Sequence, residues 1–114
     1  MSSVLVHLLR PAQSNLCAIC GKPFHGRGMK RPSVDHVLAQ SLGGYSGRGN
    51  VVLAHIDCNS AKGNRLPTGC EMIWLQLVCE VYGWPIRLQP GRQWFPPKVK
   101  RMWRAAPWMS FRQY

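Results

Sequence analysis

The chain has 114 residues, which at ~100 to 200 residues per domain allows one domain, residues 1–114, and excludes a second core. Its 15 Lys and Arg residues face four acidic ones, and the formal net charge of +11 predicts a polyanionic partner. Composition alone also fits a ribosomal or an anionic-lipid-binding protein. No apolar run approaches the ~20 residues of a membrane span, and residues 4–9 are too short and wrongly flanked for a signal peptide, so we expect no membrane association.

The predicted elements start with an apolar stretch at residues 4–9, which is either a short strand or a short helix and which Pro11 ends. A turn that carries two cysteines and a basic loop follow. Residues 33–39 contain β-branched side chains and predict a short strand. Four glycines between residues 41 and 50 predict a loop, and the apolar run 51–54 predicts a second strand.

Two helices are predicted after the second strand. The polar run 57–65 predicts a short helix that Gly63 weakens. Thr68 and Glu71 then form a capping box in front of an apolar pattern, which predicts a longer helix over about 69–83.

Two pairs of metal-ligating residues have the same short spacing. Cys17 and Cys20 form one pair, and His55 and Cys58 form the other, each separated by two residues. Zinc takes four such ligands in a tetrahedron, and this spacing lets both side chains of a pair reach one ion. In a basic chain without a secretion signal, the pattern indicates metal before disulfides. We therefore predict one structural zinc per chain.

Other readings of the histidines and cysteines are weaker. A zinc knuckle built from the first cysteine pair would use His25 and need its fourth ligand at Lys30, which cannot serve. The alternative that the paired cysteines are small core residues and His55 is an ordinary polar residue does not explain two correctly spaced pairs. Cys70 and Cys79 lie in the longer predicted helix and are expected to be core thiols.

Between the zinc pairs lie groups suited to metal-assisted phosphodiester hydrolysis. That reaction needs hard oxygen ligands for Mg²⁺, a base with a pKa near neutrality, and positive charge around the phosphate. Asp35 and Asn59 offer the oxygens, and His36 offers the base. Lys62 follows Asn59 by three residues and so shares its helix face, where it could contact a phosphate together with Arg65.

The order of these residues resembles the HNH endonuclease family, the ββα-metal nucleases, in the version with a zinc site of two paired half-sites. The resemblance covers residues 17–65, less than half of the chain. The matching residues are Cys17, Cys20, Asp35, His36, Gly43, Gly44, Asn50, His55, Cys58, Asn59 and Lys62.

The resemblance implies a role for each catalytic position. It makes His36 the general base, places a divalent metal, Mg²⁺ or Mn²⁺, on Asp35 and Asn59, and has Asn50 bond backbone across an Ω-like loop and hold His36 in place. Its products would carry a 5′-phosphate and a 3′-hydroxyl. It also implies a bend or bulge in the strand, because neighbouring strand residues otherwise point to opposite faces.

The chain departs from the commoner family pattern at two positions. His55 stands where a cysteine is usual, a substitution that zinc accepts. Asn59 stands where the family often has histidine, and its amide oxygen favours hard metals such as Mg²⁺ or Mn²⁺.

The C-terminal region is basic and contains five prolines and no acid from residue 81 onward. Its cations would contact DNA phosphates, or its tryptophans would fold back and enlarge the core; both readings are compatible, since an arm packed through its tryptophans still presents its cations. The cations assigned to DNA binding are Lys98, Lys100, Arg101 and Arg104.

Together these patterns predict an α+β fold: a ββα-metal core at about 17–65 held by one zinc, a helix at about 69–83, and a tail rich in Pro and Trp at about 85–114. The predicted function is a metal-dependent endonuclease acting on DNA, with duplex as the expected form. The alternative is a non-catalytic zinc module that binds nucleic acid or docks in an assembly. A cytoplasmic setting in a bacterial or phage-infected cell is expected, and a protein partner in a phage packaging or mobile-element system stays open.

Overall fold

The structure, a computed structural model, describes residues 3–88. These residues form two antiparallel strands and three α-helices, with two short 3₁₀ helices at Gly28–Lys30 and Gln40–Leu42. This arrangement confirms the predicted α+β class. The elements are α1 (Ser3–Ala12), β1 (Pro32–His36), β2 (Val51–His55), α2 (Ile56–Lys62) and α3 (Gly69–Tyr82).

The N-terminal apolar stretch is helical. Helix α1 runs past Pro11 to Ala12, so the proline does not end it as expected. A proline in the last turn forfeits one backbone donor, and the chain still closes the turn through a bond from the Gln13 amide to the Leu9 carbonyl, 3.0 Å. Leu9 is wholly buried and anchors the helix to the core.

The two-stranded sheet is paired without interruption from Pro32 opposite His55 to His36 opposite Val51. All five residues of β2 are buried, which explains its continuous apolar run. On the other edge of β2, the Leu53 amide donates to Gln13 Oε1 at 2.7 Å, and Gln13 Nε2 donates to the Leu53 carbonyl at 3.0 Å. A buried glutamine thus satisfies polar groups that the second strand leaves unpaired.

The cap residues predicted for α3 are found in the structure, whereas α2 is shorter than predicted. Helix α2 ends at Lys62, three residues before the predicted end, and Gly63 follows it with a positive φ of 55°. Thr68 caps α3 by accepting a bond from the Glu71 amide, and Gly83 ends the helix in the left-handed conformation.

One expectation about the cysteines of α3 is wrong. Cys79 is buried as predicted, but Cys70 is exposed. The reason is position: Cys70 lies in the first turn of α3, whose inner face at that point is occupied by the buried Glu71 and Met72.

A glycine-rich loop between the strands is held against the segment that follows α3. The Tyr45 amide donates to the Leu88 carbonyl, 2.8 Å, and the Arg87 amide donates to the Gly49 carbonyl, 2.9 Å. Gly49 has a φ of +97°, and a Cβ there would lie 2.5 Å from the Pro85 carbonyl oxygen, so the close approach requires glycine. The core therefore extends beyond the predicted helix as far as Leu88, which is wholly buried.

The predicted tail cations Lys98, Lys100, Arg101 and Arg104 lie outside the described residues. Within residues 3–88, the structure contains no helix with the length and apolar character needed to cross a membrane.

Candidate metal centre and catalytic cleft

Four ligand atoms from two distant parts of the chain converge on one point. The sulfurs of Cys17, Cys20 and Cys58 and a ring nitrogen of His55 all lie within 4.8 Å of one another. The first two come from the N-terminal turn, and the other two come from the junction of β2 with α2. These are the four residues that the sequence spacing predicts.

The first cysteine turn is shaped around the sulfur of Cys17. Its Sγ accepts bonds from the backbone amides of Ile19 at 3.3 Å, Cys20 at 3.5 Å and His55 at 3.3 Å. Amide donors stabilise a thiolate, which is the form that ligates zinc. The bond from His55 also joins the two halves of the cluster directly through the backbone.

His55 is oriented by contacts on both sides of its ring. Its Nδ1 lies 3.2 Å from the Cys20 sulfur and 3.7 Å from the Cys58 sulfur. Its Nε2 lies 2.9 Å from the carbonyl oxygen of Pro23, to which it can donate a hydrogen bond. Such a bond leaves Nδ1 as the ligand atom and fixes the tautomer, the usual outer-shell arrangement of a metal-binding histidine.

The thiols influence one another strongly. Desolvation raises the pKa of Cys20, but bonds with the Lys22 backbone and with the neighbouring ligand side chains outweigh it and bring the pKa to about 7. Desolvation, followed by repulsion from Cys17, raises the pKa of Cys58 to about 12. One thiolate in the cluster thus disfavours another, a conflict that a bound divalent cation removes. Three sulfurs and one imidazole nitrogen fit zinc, and a complete set of four protein ligands is typical of a structural site.

A second polar centre lies beside α2. Asp35, His36 and Asn59 line one open cleft of about 230 Å³. The expected bulge between Asp35 and His36 is absent, since the register of the strands is unbroken there. Both neighbours nevertheless line the cleft; His36 is the last residue of β1, and the chain bends directly after it, at Val37.

His36 has one ring nitrogen in use and one free. The ring bonds to the backbone of Ser46, whereas Nε2 has no hydrogen-bond partner among the described residues. Burial lowers the pKa of the imidazole, and the nearby charge of Lys62 lowers it further against the effect of the Ser46 bond. The neutral form, with a buried Nε2 that has no partner among the described residues, is therefore favoured near neutral pH.

Asp35 faces a lysine rather than solvent. Both of its carboxylate oxygens lie 3.1 Å from Nζ of Lys62, which also donates to the carbonyls of His36 and Val37 at 3.0 Å. The Lys62 side chain has no exposed surface. The sequence predicts that Lys62 contacts a DNA phosphate. In the structure its ammonium is buried and binds Asp35 and two backbone carbonyls instead. Burial raises the pKa of Asp35 to about 6 despite the attraction of Lys62.

The asparagines are both held through their amide groups. Nδ2 of Asn59 donates to the Val34 carbonyl at 3.0 Å and to Ser33 Oγ at 3.2 Å, which leaves Oδ1 as the atom able to ligate a cation. Asn50 is wholly buried and makes three bonds across the loop. Its Oδ1 accepts a bond from the Leu38 amide at 2.9 Å. Its Nδ2 donates to the Leu38 carbonyl at 2.9 Å and to the Tyr45 carbonyl at 2.7 Å.

Two charged residues near the cleft differ in how far the sequence predicts their positions. Arg65, an expected DNA contact, keeps 41% of its side chain exposed while Nη1 bonds to Glu71. The sequence predicts Glu71 only as part of a helix cap, yet its side chain is wholly buried and lies 2.8 Å from Lys62 Nζ. A capping motif carries no signal for this second role, because the partner lies on another helix.

The comparison with protein families agrees with the geometry. The family described as HNH endonuclease matches residues 17–65. No curated protein matches the chain. The matched segment contains all four residues of the metal cluster and the three side chains of the cleft. Residues 17–65 are thus similar to the HNH endonuclease family, a family of nucleases.

Proposed function

We propose that the protein is a metal-dependent endonuclease that hydrolyses phosphodiester bonds of duplex DNA. The observation that carries the proposal is the cleft, where a carboxylate, a neutral imidazole and an amide oxygen meet beside α2. These are the groups that metal-assisted phosphodiester hydrolysis requires. The match of residues 17–65 to a nuclease family supports the same reaction class.

His36 acts as the general base. Its free Nε2 accepts a proton from water, and the bond to the Ser46 backbone holds the ring while that proton is transferred. The water oxygen attacks phosphorus in line, and the bond to the 3′ oxygen breaks. Asn50 holds the loop that carries Ser46 through its three backbone bonds, so it positions His36 indirectly.

Asp35 and Asn59 hold the catalytic divalent ion, Mg²⁺ or Mn²⁺. Each Asp35 oxygen makes one bond to Lys62 and keeps acceptor capacity, and Oδ1 of Asn59 is not used by the bonds that orient the amide. This hard oxygen set fits Mg²⁺ or Mn²⁺ better than zinc. The bound ion would stabilise the charge that develops on the phosphate and on the leaving oxygen.

DNA is held by positive charge outside the cleft. Arg65 follows α2 with much of its side chain exposed, and the chain as a whole carries a net charge of +11. We assign further phosphate contacts to the tail cations at positions 98, 100, 101 and 104. Lys62 is not among these contacts, because its ammonium is buried and paired.

A non-catalytic zinc module would share the charge and the metal cluster. It would have no use for an imidazole whose Nε2 has no partner among the described residues, placed beside two oxygen donors. The cleft therefore favours the endonuclease.

Nicking of a supercoiled plasmid tests the proposal. Zinc-loaded protein should nick the plasmid when Mg²⁺ is added and should leave it intact in Mg²⁺-free buffer. Asn59→Ala should lose activity, whereas Ser60→Ala, the next residue and an exposed one, should not. Intact plasmid with Mg²⁺ or Mn²⁺, from folded protein that binds DNA, would support the zinc module instead.

A further inference from the structure

The buried carboxylate of Glu71 lies outside the family-matched segment and yet reaches the cleft through one intermediate residue. It belongs to the first turn of α3 and has no exposed surface. Its Oε2 lies 2.8 Å from Nζ of Lys62, as an ion pair whose geometry falls outside that of a hydrogen bond, and its Oε1 accepts a bond from Arg65 at 2.9 Å.

The same ammonium contacts Asp35. Lys62 Nζ bonds both oxygens of Asp35 at 3.1 Å, so a single buried cation joins the carboxylate of the cleft to the carboxylate of α3. The side chains of Lys62 and Glu71 are 0% exposed and that of Asp35 is 3% exposed. Water screens these contacts little, so they constrain geometry more than a surface ion pair does.

Helix capping does not account for the carboxylate of Glu71. The cap of α3 is formed by Thr68 Oγ1, which accepts from the Glu71 backbone amide at 3.3 Å. That bond needs no acidic side chain. Thr68 Oγ1 also contacts the carboxylate at 3.2 Å, but the two cations, Lys62 and Arg65, are its charged partners.

Charge balance shows what Glu71 contributes. Asp35, Lys62, Glu71 and Arg65 carry two negative and two positive charges, which cancel. Without the Glu71 charge the cluster carries a net positive charge, and Lys62 has Asp35 as its remaining carboxylate partner in the cluster. Both changes oppose the binding of a second cation to Asp35.

We propose that Glu71 is a positioning residue for the metal ligand Asp35 and acts through Lys62. Glu71 shares the ammonium with Asp35, fixes it at the inner wall of the cleft, and leaves acceptor capacity on Asp35 for the divalent ion. The proposal rests on the proposed function, since it takes Asp35 as a metal ligand. It makes α3 part of the working site, although the family match ends at residue 65.

The test measures Mn²⁺ binding by calorimetry to zinc-loaded protein, together with thermal melting. Glu71→Gln should bind Mn²⁺ about 10-fold more weakly, the usual scale for loss of an outer-shell partner. Thr68→Ala is the matched control. It removes the cap of the same helix turn and one neutral contact to the Glu71 carboxylate but keeps both charged partners, Lys62 and Arg65, so it should lower the melting temperature and leave Mn²⁺ affinity near that of wild type.

Four outcomes contradict the proposal. Wild-type affinity in Glu71→Gln overturns it, and so does a loss of affinity in Thr68→Ala equal to that in Glu71→Gln, which would indicate a merely structural role. If wild type and Asp35→Asn show the same Mn²⁺ binding, the proposed function fails and this inference fails with it. Should Glu71→Gln not fold, Glu71→Asp keeps the charge but withdraws it from Lys62, and wild-type affinity in that variant overturns the proposal.

Discussion

The metal cluster and the candidate catalytic cleft both gather polar side chains but are assembled in different ways. The cluster takes its ligands from two pairs, each closed within four residues by local turns, and the sulfurs and the imidazole face one another. The cleft takes its groups from the end of β1 and from α2, and its charges are balanced by α3. The first kind of site is encoded by spacing, whereas the second depends on how the helices pack.

Loss of one cluster ligand should have the largest effect. Cys58→Ala should abolish both zinc binding and cooperative folding, because structural zinc supplies ~10 to 16 kcal/mol of apparent binding free energy that is also folding free energy. Cys70→Ala, an exposed cysteine outside the cluster, should keep both. Elemental analysis and thermal melting check this; folded wild-type protein without zinc would contradict it.

Loss of the loop bonds should destabilise the cleft side while the cluster keeps its metal. Asn50→Ala removes two buried hydrogen bonds and one partly buried one, at ~1 kcal/mol each, and should lower the free energy of unfolding by about 3 kcal/mol. Asn64→Ala, an exposed asparagine, should change it by less than ~0.5 kcal/mol. Urea unfolding of the zinc-loaded proteins measures both. Equal stabilities would show that the loop does not depend on Asn50.

Removing the tail cations should lower DNA affinity without changing the fold. Replacing Lys98, Lys100, Arg101 and Arg104 with glutamine should weaken DNA binding and reduce the slope of log affinity against log salt by about 0.9 for each phosphate that the protein no longer neutralises. The melting temperature and the zinc content should stay near those of wild type. An unchanged salt slope would show that these cations are a solvated face and do not contact DNA.

The pH dependence of cleavage should reflect the protonation of His36 and Asp35 in the cleft. Burial lowers the pKa of His36, so the neutral base persists below its usual titration range. Burial raises the pKa of Asp35 to about 6, so its carboxylate becomes protonated as the pH falls through 6. The rate should therefore rise on the order of tenfold from pH 5 to 7 and level off above that. Single-turnover rates measure this, and a rate that climbs steadily through pH 8 would contradict it.

The sequence predicts the two strands, both later helices and the four cluster residues, because periodicity, capping and ligand spacing are local signals. It does not predict the burial of Lys62 or the second role of Glu71, because their pairing joins α2 to α3 across a loop. Lys62 lies in α2 as predicted, but its buried ammonium contacts Asp35. The bulge that the family resemblance implies between Asp35 and His36 is absent, although both residues line the cleft.

The most direct test of the proposed chemistry compares cleavage by wild type and His36→Ala in Mg²⁺. The base is the group that a binding module does not need. Its imidazole belongs to neither the metal cluster nor the buried ion pairs, and the bond that Lys62 makes to His36 goes to the backbone carbonyl, which the substitution keeps. The variant should keep its zinc and its DNA affinity and should nick plasmid ~100-fold or more slowly than wild type. An undiminished rate in a folded, zinc-loaded variant would remove His36 as the base and contradict the proposed chemistry of the cleft.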